Sequence, residues 1–134
     1  MRVVIADDSR IPRDILRQIL RAGGHTVVGI ATDGREAIAE CEREKPDMVI
    51  LDVSMPRLSG DLAAREIIAA GTARHVLIAS SMSQDIIFAP LRALGAHTLT
   101  KPYRREQLLN EIARVVGEDA AAIGPAVAEV VQGE

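Results

Sequence analysis

At 134 residues, 48% of them apolar, the chain is long enough for one domain with a continuous core. Its net charge of -3 supplies no basic stripe for a phosphate backbone, which removes direct nucleic-acid binding from the expected functions. No apolar stretch approaches the roughly 20 residues that span a bilayer, and the start lacks a basic-then-apolar leader, so no membrane insertion and a cytoplasmic location are expected.

Short apolar runs alternate with longer segments of helical period. The first run, Val3 to Ala6, ends abruptly at two adjacent carboxylates, Asp7 and Asp8. Ile11, Ile15, Leu16, Ile19 and Leu20 then predict a helix with one apolar face, closed by Gly23 and Gly24. Thr26 to Ala31 predicts a second strand. Asp33 and Glu36 have the spacing of a capping box at the start of the second helix. On that helix Cys41 shares a face with Ala37 and Ile38, the placement of a core thiol rather than a nucleophile. As the single cysteine it has no disulfide partner within the chain, which suits a reducing compartment. The third strand, Met48 to Leu51, delivers Asp52 to a turn at Met55 and Pro56, and a third helix from Leu62 to Ala70 stops at Gly71.

A fourth strand, His75 to Ala79, leads into Ser80 and Ser81. The helical segment after it carries Pro90 in its interior, so either a kink there or a helix that begins near Pro90 is expected. The fifth strand, His97 to Thr100, ends at Lys101, and Leu108, Leu109, Ile112, Val115 and Val116 mark one stripe of a last helix. The domain is expected to occupy residues 1–117. The Ala/Val-rich tail, 118–134, interrupted by Gly124 and Pro125, either lacks fixed structure or forms a short extra helix. With one Phe and one Tyr, the core must be built from Ile, Leu, Val and Ala, without a stacking surface for bases or flavin. His25, His75 and His97 each stand alone near a strand start, lack the paired spacing of a zinc site and are given no function.

Strands without polar alternation imply a parallel sheet covered on both faces, and right-handed crossovers then favour a doubly wound α/β fold. In such sheets functional groups collect outside the carboxyl ends of the strands. That edge receives Asp7 and Asp8 from the first strand, Asp52 from the third, Ser80 and Ser81 from the fourth and Lys101 from the fifth. Three carboxylates repel one another unless a cation lies among them. A hard divalent ion with oxygen ligands, Mg2+ or another such as Mn2+, meets that need. With Lys101 opposite, the pocket can receive a phosphoryl group, and Asp52, which ends a central strand alone, is the candidate nucleophile. In the plainer reading the paired acids cap a helix, Ser80 and Ser81 are turn residues, and Arg57, Arg104 and Arg105 are solvated.

The stretches DDS at Asp7 to Ser9, LDVSMPRLSG around Asp52, SSM at Ser80 to Met82, GA at Gly95 and Ala96, and KP at Lys101 and Pro102 occur in this order. Together they resemble the receiver domain of two-component response regulators from about Arg2 to Val116. DDSRIPRDIL and SSMSQ are most similar to its CheY-type chemotaxis branch. The resemblance implies a flavodoxin-like, CheY-like fold: a five-stranded parallel sheet of order 2-1-3-4-5 flanked by five helices. It implies Asp52 as phosphoacceptor, Asp8 as a direct Mg2+ ligand, Asp7 as a ligand through water, and the Ser54 carbonyl as a further metal oxygen. Lys101, joined to Pro102 by a cis bond, is implied to pair with the phosphoryl group, and Ser80 to be the switch hydroxyl. Ser54 and Met82 fall at the two positions that tune hydrolysis of the acyl phosphate.

The implied partners are a histidine kinase or histidine phosphotransfer protein and a downstream protein target. The implied role is a single-domain regulator in chemotaxis-like or phosphorelay signalling, with no catalysis beyond its own phosphorylation and dephosphorylation. Three features depart from the family pattern, the first being Pro90 inside the expected fourth helix. Thr98 stands where the family carries an aromatic, and the segment from Gly95 to Lys101 is one residue shorter than usual. A receiver that only docks partners without being phosphorylated is therefore the first alternative. An aspartyl-nucleophile phosphatase of the haloacid-dehalogenase type is the second, although its general acid-base Asp, two residues after the nucleophile, is here Ser54.

Overall fold

The computed structural model describes residues 1–81 and 85–123. The chain divides into two compact units, Met1–Pro102 and Tyr103–Glu134. The first contains β1 (Arg2–Ala6), α1 (Arg10–Ala22), β2 (Thr26–Ala31), α2 (Gly34–Glu44), β3 (Met48–Asp52), α3 (Gly60–Ala70), β4 (His75–Ser80), α4 (Asp85–Ala93) and β5 (His97–Thr100). The described part of the second carries α5 (Arg105–Ile123). All strand pairs are parallel and their order is β2-β1-β3-β4-β5, the expected doubly wound arrangement.

The apolar runs end up where both faces of a strand are covered. Val3, Val4 and Ile5 of β1 and Met48, Val49 and Leu51 of β3 are wholly buried, whereas the edge strands β2 and β5 are mostly half-buried. Alternation along each strand divides the core in two. Val4, Ala6, Val49, Leu51, Val76 and Ile78 pack with Ala37 and Cys41 of α2, Ala63, Ala64 and Ile67 of α3, and Phe88 and Leu91 of α4. Val3 and Ile5 project to the other face, on which α1 buries Leu16 and Leu20 against β1 and β2. Burial pushes the Cys41 thiol up to about 12, so it is a protonated core group and not a nucleophile.

Three sequence expectations change. Ile11 and Ile15 are 73% and 51% exposed: at about 100° per residue Ile15 stands well round the helix from Leu16, and the buried stripe is the narrower one through Leu16 and Leu20. The fourth helix does not begin near Pro90 but runs through it. The proline lacks the N–H that would bond the Ile86 carbonyl, and the helix continues through it at a position where Ile86 is 85% exposed. Finally, α5 continues past Gly117 to Ile123, with Leu108, Ile112 and Val115 buried, Leu109 half-buried and Val116 exposed. Residues 124–134, and with them most of the expected tail, lie outside the described residues, as does Met82. Among the described residues no helix is long and apolar enough to cross a membrane.

Candidate functional site

Parallel strands in register bring residues far apart in sequence to one edge. The pairs Ala6 with Leu51, Asp52 with Ala79, and Ser80 with Thr100 align the carboxyl ends of β1, β3, β4 and β5. Asp7, Asp8, Asp52 and Lys101 therefore meet. One carboxylate oxygen from each of the three acids lies within 4.8 Å of the others. The Lys101 ammonium stands 3.4 Å from Asp52 Oδ1 and 3.4 Å from Asp7 Oδ2. Asp7 is buried, and its other oxygen accepts the Ser9 N–H at 2.9 Å. Arg13 donates to the Asp7 carbonyl at 3.0 Å, a positive neighbour that the sequence reading missed.

Burial in the pocket pushes the Asp52 carboxyl above its ordinary range. The Lys101 charge pulls it back, while Asp7 and then Asp8 push it up again. These oxygens suit a small hard cation: three carboxylates within 4.8 Å span little more than an octahedral Mg2+ shell, whose opposite oxygens are ~4.2 Å apart. Ser54 is exposed two residues past Asp52. Ser80 is buried at the end of β4, where its carbonyl accepts the Lys101 N–H at 2.7 Å. The Lys101–Pro102 bond is cis.

The loop after β3 is held by backbone and by a clamp. The Gly60 N–H bonds the Val53 carbonyl at 2.9 Å, and the Gly34 N–H bonds the Leu58 carbonyl at 2.9 Å, so the start of α2 sits directly on the loop. Asp33 caps α2 as expected, accepting the Glu36 N–H at 2.8 Å, but the Glu36 carboxylate reaches back to Thr32 rather than to Asp33. The second Asp33 oxygen accepts from Arg57. Arg57 was expected to be solvated; though largely exposed, it is paired, and it holds a left-handed backbone at φ 63° in the loop five residues past Asp52. The Glu36 N–H and then Arg57 hold the Asp33 carboxyl below its ordinary 3.8. Its ionised form therefore supports folding above that value, and the support fades as pH falls through the lowered one. Asp33→Asn should lower the urea midpoint at neutral pH, with the difference from wild type shrinking below about pH 3.8. A difference that stays constant into acid would show that charge pairing with Arg57 contributes nothing.

At the position where the family carries an aromatic, Thr98 accepts a hydrogen bond from Arg92 of α4 at 3.1 Å, and the Arg92 guanidinium lies 5.8 Å from the Phe88 ring centre. A polar tie between α4 and β5 occupies that place. Two histidines expected to stand alone are together: His97 Nε2 is 3.4 Å from His75 Nδ1. Their sequence separation conceals this, and only the β4–β5 register reveals it.

A doubly wound 2-1-3-4-5 sheet that gathers three carboxylates and an ammonium at its carboxyl edge defines a CheY-like α/β domain. The chain belongs to the response regulator receiver family, whose domain pattern matches residues 3–113. It is 30% identical over 115 residues to the chemotaxis protein CheY of Thermotoga maritima, covering 85% of this chain and 96% of that one. It is 38% identical over 111 residues to the transcriptional regulatory protein PdtaR of Mycobacterium tuberculosis, covering 83% of this chain but 54% of the relative. Among solved structures it is similar to the CheX-CheY-BeF3-Mg2+ complex from Borrelia burgdorferi, with a TM-score of 0.79, 26% identity and 87% and 89% of the two chains covered. Vibrio cholerae CheY4 gives a TM-score of 0.76 at 29% identity, with 85% and 97% covered.

Proposed function

We propose that this receiver accepts a phosphoryl group on Asp52 from the phosphohistidine of a kinase or histidine phosphotransfer protein. The observation that carries the proposal is the Lys101 ammonium, set 3.4 Å from both Asp52 and Asp7 in a pocket of three acids. An Asp52 carboxylate oxygen attacks phosphorus, the P–O bond forms as the P–N bond breaks, and the imidazole nitrogen leaves with the electron pair and takes a proton. Lys101 can follow the incoming phosphoryl oxygens and leave Asp7. In this reading Ser80, whose carbonyl accepts the Lys101 N–H at the end of β4, supplies the switch hydroxyl that meets the new charge. The carboxylates of Asp7, Asp8 and Asp52 and the carbonyl of Ser54 would hold Mg2+ or Mn2+, which when bound neutralises charge developing on the transferring group.

The chain then acts as a cytoplasmic phosphorylation switch whose altered surface selects a downstream protein target, in chemotaxis-like or phosphorelay signalling. It catalyses nothing beyond its own phosphorylation and dephosphorylation, and residues 1–117 suffice for that role. Intact mass after incubation with acetyl phosphate and Mg2+ tests this directly. Wild type should gain one phosphoryl group, dependent on the metal, and Asp52→Asn none. No gain in wild type, together with failure to bind beryllofluoride, would leave a docking receiver in its place.

A further inference from the structure

His75 and His97 lie at the end of the sheet remote from the acids. Each begins its strand, whereas Asp7, Asp52 and Lys101 stand at or just past the carboxyl ends of theirs. The register sets His97 opposite Leu77, and side chains two apart on a strand share a face, so the imidazoles project from the same side of β4 and β5. Both residues are half-buried and within reach of solvent. The rings meet at a centroid distance of 5.4 Å with their planes inclined by 51°.

The separation of 3.4 Å between His97 Nε2 and His75 Nδ1 is informative. The two nitrogens form a long hydrogen bond, beyond the usual N–H range of about 2.7–3.2 Å. Two nitrogens each about 2.0–2.1 Å from one tetrahedral zinc ion lie ~3.3–3.4 Å apart. Both atoms are ligating positions of a neutral imidazole. Both rings are carried on paired strands rather than on loops, and the His75 N–H bonds the Asp47 carbonyl at 2.9 Å, which fixes the start of β4.

We propose that His75 and His97 form a second metal site, one that takes a borderline divalent transition ion of the zinc class. Water completes the shell, so the site binds more weakly than a closed four-ligand zinc centre. Ligand chemistry sorts the ions: imidazole nitrogen selects zinc, copper or nickel, whereas the carboxylate pocket selects magnesium or manganese. A bound ion joins the starts of β4 and β5 and stabilises the sheet from the end opposite Asp52.

The test is a titration of the full chain with Zn2+ in excess Mg2+, followed by calorimetry and by the imidazole nitrogen resonances. One equivalent should bind and shift the His75 and His97 resonances but not those of His25. His75→Gln and His97→Gln should each weaken binding by about tenfold or more. Asp8→Asn, which alters the carboxylate pocket, should bind zinc as wild type does. The wild-type spectra decide the matter even if a histidine variant folds poorly. Absence of binding at millimolar Zn2+, shifts confined to His25, or loss of binding in Asp8→Asn would each overturn the proposal. None of these results depends on phosphorylation of Asp52.

Discussion

Gly60→Ala is expected to destabilise the protein by about 3 kcal/mol and to remove phosphoryl uptake together with it. A Cβ at this position would fall far inside van der Waals contact of the Asp52 carbonyl oxygen, and the next atoms, the Asp52 carbonyl carbon and the Val53 Cα, are also backbone. Backbone cannot step aside as a flexible side chain can, so the loop must move, and Asp52, the proposed phosphoacceptor, moves with it. Gly71→Ala makes the contrasting case. That glycine ends α3 in a left-handed conformation at φ 66° with nothing within 4 Å of an added Cβ. Its cost should be only about 1 kcal/mol and should leave phosphorylation intact. Urea midpoints and acetyl phosphate uptake of the two variants separate these cases, and equal effects in both would show that crowding at Asp52 is not the cause.

Asp52→Asn should make the metal-free protein more stable at neutral pH while removing its chemistry. The carboxyl is raised above its ordinary value of 3.8, chiefly by burial, so the folded state holds the Asp52 proton more tightly than the unfolded chain does. That preference supports folding fully below about 3.8 and is lost as pH rises through the raised value, leaving ionised Asp52 as a burden on the fold at pH 7. The amide carries no such burden. The variant's urea midpoint in chelator should therefore exceed wild type at pH 7, and the excess should vanish in acid. Mg2+ should then reverse the order, because a ligand at one hundred times its Kd adds about 2.7 kcal/mol to the protein that binds it. A variant less stable than wild type in chelator at pH 7 would mean that Lys101 outweighs burial.

The sheet was legible because β1 and β3 are buried on both faces and so read as unbroken apolar runs, and because Asp7 and Asp52 directly follow such runs, with Asp8 next to Asp7 and Lys101 just past the short fifth strand. Chemistry that sits at strand ends is visible once the strands are. What stayed hidden depends on orientation or on distant pairing. Ile11 and Ile15 satisfy a helical period, but nothing local says which way the helix rolls onto the sheet. Arg57 resembles any surface arginine until the backbone turns left-handed and meets the Asp33 cap. Pro90 signals a broken helix, yet the helix continues through it. His75 and His97 meet through strand register, which no spacing rule in a single sequence contains.

Lys101 is 94 residues from the Asp7 carboxylate it touches. A chain emerging from the ribosome presents its three acids well before the ammonium that draws two of them together. Until β5 has been made and paired with β4, the carboxyl edge of the sheet lacks the ammonium that pairs with Asp7 and Asp52. The last strand to be synthesised is thus also the one that leads into this ammonium, so β5 completes the sheet and the site together.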